Sequence, residues 1–103
     1  MSNMLHILGA SLAQATGKQE ILCRGLLRLS VLDSVEHLRQ SSDLKQVMAH
    51  MQTMTYQDWK AFVEGAVLSQ RLENIGVSRP ADVVAQLKQT LADAQSLLTM
   101  SAR

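Results

Sequence analysis

The stretch Thr55–Gly76, TYQDWKAFVEGAVLSQRLENIG, decides how the rest of the chain is read. It holds all three aromatic residues, Tyr56, Trp59 and Phe62, at a three-residue spacing that places them on one face of a helix. Thr55 followed by Asp58 is a capping-box pattern, in which the threonine hydroxyl accepts from an orphan amide while the carboxylate reaches back to the cap. Met54, just ahead of the cap, is placed to pack on Trp59 as a hydrophobic staple, and Gly76 suits the left-handed residue that commonly ends a helix. The expectation is one central helix across the whole stretch, with Trp59 buried.

Composition agrees with an all-α fold. In 103 residues there are one proline and five glycines, too little turn chemistry for many short strands, while Leu, Ala, Gln, Lys and Arg favour helix. An apolar fraction of 47% supports a modest core, filled mainly by Leu, Ala and Met because aromatics are scarce. The expected architecture is a compact bundle of about five helices in a single domain over residues 1–103.

Working outward, the first helix is read from a Ser2 or Asn3 cap to Gly17, with Met4, Leu5, Leu8 and Leu12 on one side. Its apolar run precedes small residues, as in a secretory signal, but no Lys or Arg comes before it and His6 interrupts it. Gly9, Ala13 and Gly17 form a small-residue row, as do Ala61, Gly65 and Ser69. Because glycine weakens a helix, the two rows are expected to face each other at a close crossing.

The second helix, about Lys18–Gln40, carries an apolar side that switches. Leu22, Leu26 and Leu29 share one side with Arg24 and Arg28 opposite, whereas Val31, Leu32, Val35 and Leu38 occupy the side of the arginines. The central helix switches likewise, since Leu68, Leu72 and Ile75 lie nearly opposite Tyr56, Trp59, Phe62 and Val63. Either both helices break at the switch, or each half is buried against a different neighbour. The absence of proline at both places favours the second alternative. Ser41 or Ser42 is read as the cap of a short helix over Asp43–Gln52, and Ser78 as the cap of a last helix with Pro80 in its first turn. That last helix repeats Val84, Leu87, Leu91, Ala94 and Leu98 as a seam, widened by Val83 and Leu97.

Candidate chemistry is thin. His37 invites comparison with histidine phosphotransfer bundles, but Gln40 and Ser41 stand where those domains usually carry a lysine and a glycine, so an ordinary titrating surface histidine is the plainer reading. Met48, His50, Met51 and Met54 are soft-ligand types suited to Cu(I), yet methionine is also a common filler of cores poor in aromatics. Cys23 lacks a second cysteine and a histidine partner, which makes it a buried thiol rather than a nucleophile and points to a reducing, cytoplasmic setting. No paired carboxylates, phosphate-cradling loop or nucleophile and base arrangement is present, so no enzyme activity, metal or cofactor is assigned. Ten basic and nine acidic residues leave a net charge of +1, without the excess that binds phosphate backbones. No apolar run reaches the roughly 20 residues that span a bilayer.

What remains is apolar surface. The reading is a small protein–protein interaction module, an adaptor, secretion-type chaperone, inhibitor or anti-activator, that self-associates as a homodimer. Matched in an antiparallel pair, Leu22, Leu26 and Leu29 of the second helix and Leu68, Leu72 and Ile75 of the central helix form the expected contact surface, with Arg24 and Arg28 able to hold an acidic group. The alternative is a helical subunit of a nucleic-acid-binding assembly, with Arg24, Arg28, Lys45, Lys60 and Arg71 along one face.

Overall fold

Helix boundaries follow capping chemistry along most of the chain. The computed structural model describes residues 4–40 and 43–101, with the side chains of residues 37 and 98–101 left undescribed. In chain order the helices are α1 (Met4–Thr16), α2 (Glu20–Ser34), a single turn α3 (Glu36–Arg39), α4 (Leu44–Thr53), α5 (Tyr56–Glu64), α6 (Ala66–Asn74) and α7 (Pro80–Ser101). The fold is all-α, and no strand occurs among the described residues. Among the described residues the bundle thus has six helices and one isolated turn, close to the expected number of about five.

The capping box at Thr55 forms in full. Thr55 Oγ1 accepts from the Asp58 amide at 3.2 Å and Asp58 Oδ2 accepts from the Thr55 amide at 3.0 Å, satisfying two orphan donors of α5. At the other end of the stretch the Val77 amide donates to the Leu72 carbonyl and the Gly76 amide to the Glu73 carbonyl, each at 3.0 Å. That pair of bonds is a Schellman motif, and it requires the positive φ of 91° that Gly76 adopts without steric cost.

Between these ends the expected single helix does not exist. The chain leaves helical torsions at Gly65, with ψ at 162°, and starts again at Ala66. The break answers the opposed apolar faces: α5 turns Trp59, Phe62 and Val63 inward, and the re-aimed α6 turns Leu68 and Leu72 inward as well. One straight helix would have left one of those sets in water. Trp59 is 3% exposed and meets Phe62 edge to face, with ring centroids 5.9 Å apart.

In α2 the correction is different. No break falls at Ser30; the helix runs on to Ser34 and becomes extended at Val35, so the expected Lys18–Gln40 helix is α2 followed by the turn α3. Cys23, Leu27, Ser30 and Val31 form one continuous buried face. A serine in that stripe disguises it as two stripes. Ser30 is fully buried, and its hydroxyl is satisfied by donating to the Leu26 carbonyl at 2.8 Å.

One core joins all the layers. Leu8 and Leu12 of α1, Leu27 and Val31 of α2, Trp59 and Val63 of α5, Leu68 and Leu72 of α6, and Leu87 and Leu91 of α7 all belong to it. α1 packs on α2 and α7, α5 and α6 both pack on α7, and α2 is flanked by α4 and α6. The two small-residue rows therefore do not meet. Gly9 lies instead under Arg24 of α2, whose Cγ is 2.7 Å from where a Cβ would stand, so only glycine admits that close approach. Ser11 and Thr90 share a hydroxyl hydrogen bond of 2.7 Å that fixes α1 on α7.

Three smaller expectations change too. Ser41 and Ser42 lie outside the described residues, as do Ser2 and Asn3, and the cap of α4 is Asp43, which accepts from the Lys45 amide at 2.9 Å. The first bonds of α7 go to the Arg79 carbonyl, with Pro80 as its first residue. Along α7 Val83 is buried more deeply than Val84, and Leu97 is 65% exposed rather than part of the seam.

Candidate functional site

The first half of α2 carries apolar side chains on two faces. With about 100° per residue, the buried face through Cys23, Leu27, Ser30 and Val31 has Ile21, Gly25 and Leu29 roughly opposite it, and Leu22 and Leu26 on the flank toward α6. Ile21 is 63% exposed, Leu22 61% and Leu29 44%. Between this flank and the end of α6 runs a groove of about 460 Å³, lined by Leu22, Leu26, Leu29 and Ile75 above the buried Leu12 and Cys23. Lys18 and Arg71 supply its charge.

α6 reaches the groove only with its last residues. Ile75, at the C-cap, is 38% exposed, but Leu68 and Leu72 are fully buried and cannot touch a partner. Of the five leucines and one isoleucine expected on one contact surface, the structure brings Leu22, Leu26, Leu29 and Ile75 together and assigns Leu68 and Leu72 to the core. The physical reason is the break at Gly65, which frees α6 to turn its apolar side inward.

The arginines divide between the two flanks of α2. Arg24 lays its aliphatic stem over Gly9 of α1 and keeps its guanidinium 3.7 Å from Glu20, one turn back. Arg28, one turn on from Arg24 and roughly on the same side, is half-buried. On the other flank Arg71 Nη2 donates to Asp33 Oδ2, while its Nε is buried with no hydrogen-bond partner among the described residues. Arg24 and Arg71 thus serve contacts within the chain on opposite sides of α2. Lys45 and Lys60 are exposed on α4 and α5, so the expected row of five basic residues is not one face centred on α2.

Cys23 is a buried free thiol at the floor of the groove. Burial pushes its pKa up, against smaller lowering by a hydrogen bond to Thr16 and by the Lys18 charge, so the thiol stays protonated at neutral pH. His50 and Met54 line a separate cleft of about 460 Å³ beside the helix breaks at Val35 and Gly65, whereas Met51 is in the core and Met48 is 43% exposed. The four soft donors do not converge. Among the described residues no three of His, Cys, Asp and Glu are grouped to hold a metal ion. His37 lies on α3, with its side chain outside the described residues.

Ile21 and Gly25 were not part of the expected surface. Ile21 falls on the arginine side of the helical wheel, about 20° from Arg28 and away from Leu22, Leu26 and Leu29, and Gly25 contributes no apolar side chain to count. A glycine in mid-helix was the available signal, because it lowers helix stability with no local benefit.

No helix among the described residues is long and apolar enough to cross a membrane. No protein-family model matches the chain, and neither curated proteins nor solved structures give a significant match.

Proposed function

We propose that this chain is a small cytoplasmic interaction module that works through the apolar face and groove of α2, as an adaptor, chaperone, inhibitor or anti-activator, and that it self-associates as a homodimer. One observation carries the reading: Ile21, Leu22, Leu29 and Ile75 are all large, apolar and more than a third exposed, and they are contiguous. Contiguous apolar surface is uncommon on a soluble monomer and marks contact sites. Burying one such side chain fully is worth roughly 1.5–3 kcal/mol, so covering several gives a partner a large share of its affinity. Regulation by occupancy of this surface requires no chemistry from the chain, which fits the scarcity of catalytic groupings in the sequence.

The test is sedimentation equilibrium of the wild type and of Leu22→Glu. Leu22 is exposed enough for the variant to fold, which circular dichroism verifies. The wild type is expected to associate and Leu22→Glu to remain monomeric at the same concentration. A wild type that stays monomeric at high concentration sinks self-association, and a Leu22→Glu dimer as tight as the wild type moves the contact away from α2.

A further inference from the structure

Gly25 stands at the middle of α2 with a φ that is not positive, so the backbone there does not call for glycine. Nor does packing within the chain, since a Cβ built on Gly25 meets no atom within 4 Å. The other glycines all have an internal reason: Gly17 and Gly76 have positive φ, Gly9 is pressed by Arg24, and a Cβ on Gly65 would crowd the Ala61 carbonyl at 3.3 Å. Glycine inside a helix weakens it relative to alanine, and here that loss brings the chain no benefit of its own. The position is also the centre of the face turned away from the core. Ile21, Gly25 and Leu29 follow at four-residue intervals, forming a single ridge with a notch in the middle.

Resting on the reading of the chain as a self-associating module, we infer that α2 packs against α2 of a second copy, antiparallel, across a twofold axis that passes at Gly25. The two backbones approach closely at the paired glycines, and Ile21 of each copy packs on Leu29 of the other. Such a contact is self-complementary, as a twofold interface must be. Charge selects the same occupant. Lys18 lies seven residues before Gly25 and the last residue of α2 nine after it, so the antiparallel arrangement sets Lys18 of one copy beside the negative C-terminal end of α2 in the other, where Asp33 is itself paired with Arg71 of its own chain. A parallel arrangement would set like charges and like helix ends together. Ile21, Gly25 and Leu29 carry no charge, and Arg28, about 60° around α2 from Gly25, falls at the edge of the contact, so the ridge itself brings no charge to be buried unpaired.

Two measurements on the full chain test this, with sedimentation equilibrium reporting association throughout. In a Cys23→Ala background, Gly25→Cys is expected to form a disulfide-linked dimer on mild oxidation, because equivalent Cα atoms at the axis come within the roughly 7 Å that a disulfide bridges. Ile21→Cys and Leu29→Cys are expected to link when mixed and not singly, with Gln46→Cys on α4 as the unlinked control. In the native background Gly25→Leu puts a side chain into the notch from a Cβ position that clashes with nothing in its own chain, and is expected to weaken association by about tenfold or more with the unfolding midpoint of the dilute protein not lowered. Gly25→Ala is expected to raise that midpoint while weakening association, two opposite effects that a purely structural glycine would not give. A wild type that dimerises with neither a Gly25→Cys link above control nor any sensitivity to Gly25→Leu overturns the α2 crossing and leaves self-association standing. A wild type that stays monomeric overturns both.

Discussion

Leu22 and Leu72 were both expected on one contact surface, and truncating each separates the inner face of α6 from the outer flank of α2. Leu72 is fully buried among the core residues, and its carbonyl accepts the Schellman bond from Val77, so its surroundings are held on two sides and cannot collapse into the space left by truncation. Leu72→Ala is therefore expected near the upper part of the range for buried leucines, about 3–5 kcal/mol. A domain of this length is stable by roughly 5–15 kcal/mol, and each kcal/mol lost lowers the melting temperature by about 4–8 °C. Leu72→Ala should consequently be largely unfolded at moderate temperature. Leu22, at 61% exposure, loses little on truncation, and Leu22→Ala is expected within about 0.5 kcal/mol of the wild type. The assay is urea unfolding followed by far-ultraviolet circular dichroism, at a protein concentration low enough that association contributes nothing. A Leu72→Ala loss under about 1 kcal/mol, or equal losses at the two positions, refutes the division of these leucines between core and surface.

Trp59→Ala removes the largest core side chain and its edge-to-face contact with Phe62, and should cost about 3–5 kcal/mol in the same assay; a loss under about 1 kcal/mol would place Trp59 at the surface. Thr55→Ala deletes one arm of the capping box and should cost about 0.5–2 kcal/mol, most of it restored by Thr55→Ser; no loss would mean that the box does not stabilise α5. Because burial holds the Cys23 thiol above its ordinary pKa of 9.0, its contribution to stability is complete below that value and is lost as pH rises through the folded-state pKa. Unfolding midpoints of the wild type are therefore expected to fall relative to Cys23→Ala from about pH 9 upward. Alkylation of the native protein at neutral pH should be slow until denaturant is added, and rapid labelling without denaturant would show the thiol to be exposed.

Local chemistry alone writes much of this fold. A capping box needs only Thr55, Asp58 and the amides between them, and a Schellman end needs only a residue at Gly76 that tolerates positive φ; both involve groups a few residues apart, so reading them requires no knowledge of what packs where. The same holds for the helical composition and for Leu5, Leu8 and Leu12 along α1. Burial is not local in this sense. Leu22 and Leu72 have the same side chain and similar helical neighbours, and they differ only because α6 is re-aimed at Gly65 while the flank of α2 beside Leu22 is left open among the described residues. Whether the chain bends at Gly65 depends on the free energy gained when α5 and α6 both turn apolar sides toward α7, a sum over distant residues that no short window contains. Ser30 shows the converse: a polar residue interrupts the core stripe in the sequence, yet the fold keeps it inside because the Leu26 carbonyl satisfies its hydroxyl. The surface on α2 was half legible for this reason. Apolar spacing marked Leu22, Leu26 and Leu29, but that Ile21 and Gly25 share the outward face, and that Leu68 and Leu72 do not, follows from where α1, α6 and α7 come to rest against one another.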